Sequence, residues 1–167
     1  VNNQWNANNR GLGLYANSGS VVTLNNVRFD NINNTYGAKG WAMIVNGSTV
    51  TMNNCSVTNC SGKAQGTIEV TNGSLTANNT VFSGNSAKYG GAIYVANNAN
   101  SRLTLDGCLF ENNSAIEGSN GGAICCDSGN IIMNGGTIAG CSAKGSGGAI
   151  RVTGARTAAE DHLGVAM

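Results

Sequence analysis

The sequence predicts an all-β fold, a right-handed single-stranded parallel β-helix: a solenoid of about six coils. Three observations predict it. A short motif recurs along the chain, apolar and polar residues alternate within each copy, and the breaks between segments are rich in Asn and Gly. Alternation is the period of a strand with one buried face. Asn and Gly tolerate positive φ and suit tight bends.

The first element of each repeat is Gly-Gly-Ala-Ile, present at Gly90 to Ile93, Gly121 to Ile124 and Gly147 to Ile150. Weaker copies are Gly11-Leu12-Gly13-Leu14, Gly40-Trp41-Ala42-Met43 and Gln65-Gly66-Thr67-Ile68. The aligned apolar residues Leu14, Met43, Ile68, Ile93, Ile124 and Ile150 are 29, 25, 25, 31 and 26 residues apart. The second element is Val22-Thr23-Leu24, Val50-Thr51-Met52, Leu75-Thr76-Ala77, Leu103-Thr104-Leu105 or Ile131-Ile132-Met133. A polar pair follows, such as Asn25-Asn26 or Asp106-Gly107. The third element ends in Phe29, Val57, Phe82, Phe110 or Ile138. Each unit thus reads as three strands. They are too short for helices and rich in β-branched residues. A single unit of this length cannot bury its own apolar face, whereas stacked units can. Strand spacing sets the rise at about 4.8 Å per coil.

One domain is expected over 1–167. Residues 1–10, including Trp5, are read as an N-terminal cap, 11–153 as repeat coils and 154–167 as an atypical tail or cap. The tail carries Ala158, Ala159, His162, Leu163 and Ala166 at helical spacing, so a short capping helix is one expectation there. The lack of an initiating Met or a leader peptide reads as a mature piece or a segment of something longer. No run approaches a membrane span, so insertion of this segment is not expected. With 10% charged residues and a net charge of +1, no long-range field is available to draw nucleic acid. The 41% apolar content in ordered recurrence argues against disorder.

Alternation assigns faces. Leu14, Val22, Leu24, Val27 and Phe29 and their equivalents point inward. Thr23, Thr51, Thr76 and Thr104 form an outward column, and Tyr15, Ile44, Glu69, Tyr94, Cys125 and Arg151 form another. Three residues after the inward Phe position come Ile32, Cys60, Asn85, Asn113 and Cys141. Asn85 and Asn113 are expected to turn inward as a buried amide ladder, with Cys60 and Cys141 replacing Asn in other coils.

The Gly-Gly-Ala-Ile motif paired with Phe82-Ser83-Gly84-Asn85 and Phe110-Glu111-Asn112-Asn113 resembles the twin motif of the chlamydial polymorphic outer-membrane proteins and related adhesin-like β-helix repeats. The resemblance spans 11–153 and is clearest from 82 to 153. It departs where Ile32, Cys60 and Cys141 replace the Asn. It implies a secreted or surface region that adheres to other molecules, and it carries no catalytic residue set. The wider likeness to the pectate-lyase-type superfamily concerns fold alone.

The remaining candidate residues fit ordinary structural roles. Cys55 and Cys108 share a column two coils apart, about 9.6 Å, beyond the roughly 7 Å Cα limit of a disulfide. Buried thiols are the expectation, except for Cys125, which is placed outside and reactive. No ligand cluster for a metal and no cofactor motif is read. Gly11 to Ala16 fits GxGxxA only as a repeat copy. Asp30, Glu69, Asp106, Glu111, Glu117 and Asp127 fall in different columns, and Glu160, Asp161 and His162 lie in the tail, so no catalytic pair is expected. The Thr column could order ice, but Ile132 breaks it and outward Thr is ordinary in strands. Tyr15, Ile44 and Tyr94, with the Thr column, are taken as the partner surface.

The expected function is an extracellular or cell-surface adhesin-like or structural module, displaying outward side chains to a protein or carbohydrate ligand without catalysis. Two alternatives are carried: a filament subunit stacking end to end, since strand edges recruit other chains, and a polysaccharide-binding or -cleaving protein.

Overall fold

Left-handed corner residues set the shape of each coil. In the computed structural model, Asn26, Asn54, Asn79, Gly107 and Gly135 occupy equivalent corners, all with φ between 47° and 66°. Asn31, Asn59, Gly84, Asn112 and Gly140 do the same at the next corner, with φ between 53° and 65°. Asn and Gly are the residues that enter this region at least cost, which is why they alternate there. The structure describes residues 13–34, 42–63, 65–96, 98–116, 119–154 and 165–166.

Between corners the chain forms short strands, each paired in parallel with its copy one coil away. Four sheets result, labelled here A to D. Sheet A stacks Leu14–Asn17, Met43–Asn46, Ile68–Thr71, Ile93–Val95, Ile124–Asp127 and Ile150–Thr153 in that order. Sheet B stacks Val21–Asn25, Thr49–Asn53, Ser74–Asn78, Arg102–Asp106, Asn130–Asn134 and Val165–Ala166. Sheet C holds Arg28–Asp30, Ser56–Thr58, Val81–Ser83, Leu109–Glu111 and Thr137–Ala139. Sheet D holds Asn33–Asn34, Ser61–Gly62, Ser86–Ala87, Ser114–Ala115 and Ser142–Ala143. The chain is therefore an all-β parallel solenoid of about five turns, with no helix among the described residues.

The three-strand repeat read from sequence is corrected to four strands. Sheet D was missed because its strands are two residues long, too short to display a period. The tail also differs from its helical reading at one place: Val165 and Ala166 pair with Ile131 and Ile132 as an added strand of sheet B. The cap assigned to 1–10 and most of the tail lie outside the described residues.

The register is the predicted one. Ile68, Ile93, Ile124 and Ile150 stand over one another, as do Leu75, Leu103 and Ile131. Their side chains share one interior with Val45, Val70, Val95, Met52, Leu105 and Phe82. Leu14, Val22, Leu24 and Val27 at one end, and Ile138 and Ile150 toward the other, are only partly buried against it. The Phe82 and Phe110 rings stack with centroids 4.6 Å apart and planes 12° from parallel.

The Gly-Gly-Ala-Ile motif is explained by this packing. Its first glycine is left-handed at Gly90, Gly121 and Gly147. Its second runs against sheet D of the next coil: a Cβ on Gly91 would lie 2.6 Å from the backbone N and O of Ser114. Ala92, Ala123, Ile93 and Ile124 that follow are fully buried.

Candidate interaction surfaces

The inward corner after sheet C holds a chain of buried polar groups. Asn85 and Asn113 are 1% and 0% exposed. Asn113 Nδ2 donates to the Phe82 carbonyl one coil back at 2.9 Å, and Asn85 Nδ2 donates to the Val57 carbonyl at 2.8 Å. Asn113 Oδ1 accepts from both the backbone N–H and Nδ2 of Asn85, at 3.1 and 3.0 Å. Asn85 Oδ1 accepts from the Cys60 N–H at 3.0 Å. Each amide thus bridges the coil before it and the coil after it. Cys60 and Cys141 occupy the same column; Cys60 Sγ donates to the Thr58 carbonyl at 3.2 Å, and Asn113 Nδ2 reaches Cys141 Sγ at 3.7 Å. Ile32, also buried, closes the column below. This is structural scaffolding, closed to any ligand.

The outer face of sheet B is different. Thr23, Thr51, Thr76 and Thr104 pair across it in register and are exposed or half-exposed, and Ile132, 46% exposed, continues the column. Beside them Asn25, Asn53 and Asn78 form an outward ladder: Asn53 Nδ2 donates to Asn25 Oδ1, and Asn78 Nδ2 to Asn53 Oδ1, each at 2.8 Å. The face is rich in registered hydroxyls and amides. At its edge a polar groove of about 210 Å³ is lined by Gly47, Ser48, Thr49, Asn72, Ser74 and Asn100, among others. That is smaller than the roughly 300–1,000 Å³ of small-molecule sites.

The sheet A column requires correction. Tyr15 is 36% exposed, as expected, but Ile44 and Tyr94 are each only 6% exposed. Ile44 stands between Tyr15 and Glu69 in the column, whose longer side chains flank it. The backbone of the preceding coil presses on Tyr94: a Cβ on Gly66 would come within 2.7 Å of the Tyr94 N and Cβ. Tyr89 lies against it too, with ring centroids 6.1 Å apart. Neither Ile44 nor Tyr94 is available as a contact. Cys125, read as an outside, reactive thiol, is fully buried between Tyr94 and Arg151. Burial raises its pKa, so the nucleophilic thiolate is disfavoured, although the Arg151 hydrogen bond opposes this.

Sequence reasoning missed the network around Asp127. Its Oδ1 accepts from Arg151 Nη1 at 3.0 Å and Thr153 Oγ1 at 2.7 Å, and its Oδ2 accepts from the Tyr94 hydroxyl at 3.0 Å. Burial, and then the charge of Asp127, hold the Tyr94 hydroxyl protonated well above the ordinary tyrosine range. The signal was present: Arg151 follows Cys125 in one column, and Asp127 follows Cys125 by two residues on the same face.

The other described carboxylates are apart. Asp30 pairs across the ladder with Thr58, Glu111 with Ser83 and Ala139, and Asp106 with Asn78 and Asn134. Thr58 Oγ1 donates to Asp30 at 2.7 Å and holds its carboxyl below the ordinary range; the surface ion pair with Arg28, at 3.0 Å, adds to this. Glu69 accepts from Thr71 Oγ1 at 3.0 Å. Among the described residues no group of three His, Cys, Asp or Glu could hold a metal ion. All six cysteines are free thiols, five buried and Cys141 partly so. Glu117, Glu160, Asp161 and His162, and Gly11 and Leu12 of the GxGxxA stretch, fall outside the described residues. No helix among the described residues is long and apolar enough to cross a membrane.

The Chlamydia polymorphic membrane protein (Chlamydia_PMP) repeat model matches residues 79–96 and 107–127. Each matched stretch begins at the corner before sheet C and runs through sheets C and D into sheet A. It takes in Phe82 to Asn85 with Gly90 to Ile93, then Phe110 to Asn113 with Gly121 to Ile124. No curated protein and no solved structure matches the chain. The chain is a parallel β-solenoid whose repeats are similar to those of the Chlamydia polymorphic membrane proteins.

Proposed function

We propose that this chain is a cell-surface or extracellular adhesin-like module that displays side chains on a stiff rod and does no chemistry of its own. The observation that carries the reading is the outer face of sheet B. Registered Thr and Asn columns there stand at ladder spacing, about 4.8 Å apart, on a backbone hydrogen-bonded in every described coil. The likeness to polymorphic membrane protein repeats supports a surface location. The scatter of carboxylates supports the non-catalytic part, because acid–base cleavage of a sugar chain needs two carboxyls converging on one site. The partner is a protein or carbohydrate surface that meets Tyr15, Thr23, Thr51, Thr76 and Thr104.

The test is binding of the purified chain to arrays of surface proteins and glycans. Replacing Thr51 and Thr76 together with Lys, at outward positions, is expected to abolish binding while leaving the β-rich circular dichroism unchanged. Binding that survives this double change overturns the choice of face. Release of reducing ends from any polysaccharide, lost on Asp106→Asn or Glu111→Gln, overturns the non-catalytic reading.

A further inference from the structure

A basic stripe runs along the corner that leaves sheet D, on a face not used above. Ser61-Gly62-Lys63, Ser86-Ala87-Lys88, Ser114-Ala115-Ile116 and Ser142-Ala143-Lys144 are successive copies of one segment. Ser61, Ser86, Ser114 and Ser142 pair in register, as do Ala87, Ala115 and Ala143. Ala87 and Ala115 are buried, so by alternation the Ser before and the residue after point outward. The result is a hydroxyl column beside an ammonium column, with Ile116 interrupting the second. Lys63 and Lys144 are exposed, and Lys88 Nζ is held 5.3 Å from the Tyr89 ring centroid.

These lysines, like Arg102, are cations without a carboxylate partner among the described residues, and they alone share one column. Arg28 is paired with Asp30 and Arg151 with Asp127, whereas Lys63, Lys88 and Lys144 make no ion pair among the described residues. No described carboxylate stands on sheet D; Asp30 and Glu111, at the ends of sheet C strands, each precede a sheet D strand by three residues. A net charge of only +1 therefore hides three lysines gathered on one edge. Over three coils the ammonium groups span about 14 Å at ladder spacing.

We propose that this stripe binds a linear anionic polysaccharide, its chain running along the solenoid axis. Regularly spaced sulfate or carboxylate groups would face the lysines, and the hydroxyls of Ser86, Ser114 and Ser142 would donate to their oxygens, while that of Ser61 donates to Asn33 Oδ1 at 2.7 Å. Exposed ammonium groups on a rigid backbone suit a ligand that repeats along one direction, because ordering costs are already met by the fold. The proposal rests on the surface-display reading and adds a second binding face with its own partner class.

The test uses immobilised heparin as the sulfated probe, neutral dextran as the blank and duplex DNA as the competing polyanion. The wild-type chain should be retained on heparin, released by rising salt, and ignored by dextran. Replacing Lys63, Lys88 and Lys144 together with Ala should weaken binding at least about tenfold. The Arg28→Ala, Arg102→Ala pair, which removes charge elsewhere, should change it less than about threefold. Ile116→Lys should tighten binding by filling the gap. Equal loss in both charge variants, no loss in the triple variant, or DNA competing as well as soluble heparin would each overturn the stripe. If one of these outcomes occurs while the chain still binds array partners through sheet B, the display reading stands and only the stripe falls. Failure of the wild type to bind any probe or array overturns both.

Discussion

At the scale of single residues, the buried amides and thiols carry the clearest consequences. Replacing Asn85 with Ala strips the side-chain donor from the Val57 carbonyl, which keeps its place in the sheet C ladder, and leaves the Cys60 N–H without its partner in the interior. A buried unsatisfied group costs about 1–3 kcal/mol, so a loss of that order is expected in urea unfolding. Asn85→Cys should lose less, since Cys60 and Cys141 occupy the same column and return their thiols to local carbonyls. Cys126 gives a pH dependence. Burial pushes its thiol from 9.0 up to about 11. Below pH 9 the thiol is protonated in both folded and unfolded chains and its contribution is full. Between pH 9 and 11 the unfolded chain gives up its proton first, so stability falls by roughly 2–3 kcal/mol as pH rises through that window. Cys126→Val matches Val95 and Val152 in its column. It should leave stability at pH 7 within about 1.5 kcal/mol and flatten this alkaline decline, measured as urea midpoints from pH 7 to 11.

At the scale of the element, the corners set the limits of substitution. Gly84 has φ +65°, and a Cβ there would lie 2.7 Å from Asn59 Oδ1 one coil below. Gly107 has the same relation to Asn79, at 2.6 Å. A corner Asn therefore folds over the residue stacked on it, and that residue is Gly at these two corners. Gly84→Ala is expected to destabilise by about 1–3 kcal/mol through φ and crowding together. Asn59→Gly in the same chain should return the crowding part, giving a coupling of about 0.5 kcal/mol or more in a double-mutant cycle of thermal unfolding. A coupling of zero would mean the Asn side chain moves aside freely.

At the scale of the whole molecule, each coil is stabilised mainly by its neighbours. Coils holding Leu75 to Phe82 and Leu103 to Phe110 have core residues at or near zero exposure, whereas Leu14, Val22 and Leu24 are only partly buried, like Ile138 and Ile150. Amide hydrogen exchange should show the slowest exchange in the sheet B and C strands of those middle coils. It should quicken toward Val21–Asn25 on one side and Thr137–Ala139 on the other. Uniform protection across all coils would show that the solenoid opens only as one unit.

The sequence by itself determined the repeat, the parallel stacking, the inward columns and the amide corner, because a period of two repeated at one register leaves a single way to bury Ile68, Ile93 and Ile124 together. It also contained the Ser-Ala-Lys recurrence, overlooked because a two-residue strand shows no period of its own. Only the tertiary structure decided which outward residues are reachable. Ile44, Tyr94 and Cys125 point away from the core as alternation requires, yet they are covered: Tyr94 by the backbone at Gly66 and the ring of Tyr89, Ile44 and Cys125 by longer side chains above and below. Direction is a local property of the backbone and can be read from spacing. Exposure depends on what the adjacent coils and corner segments lay across a side chain, and most of those contacts join residues 24 to 31 positions apart, their covering effect not written in the local alternation.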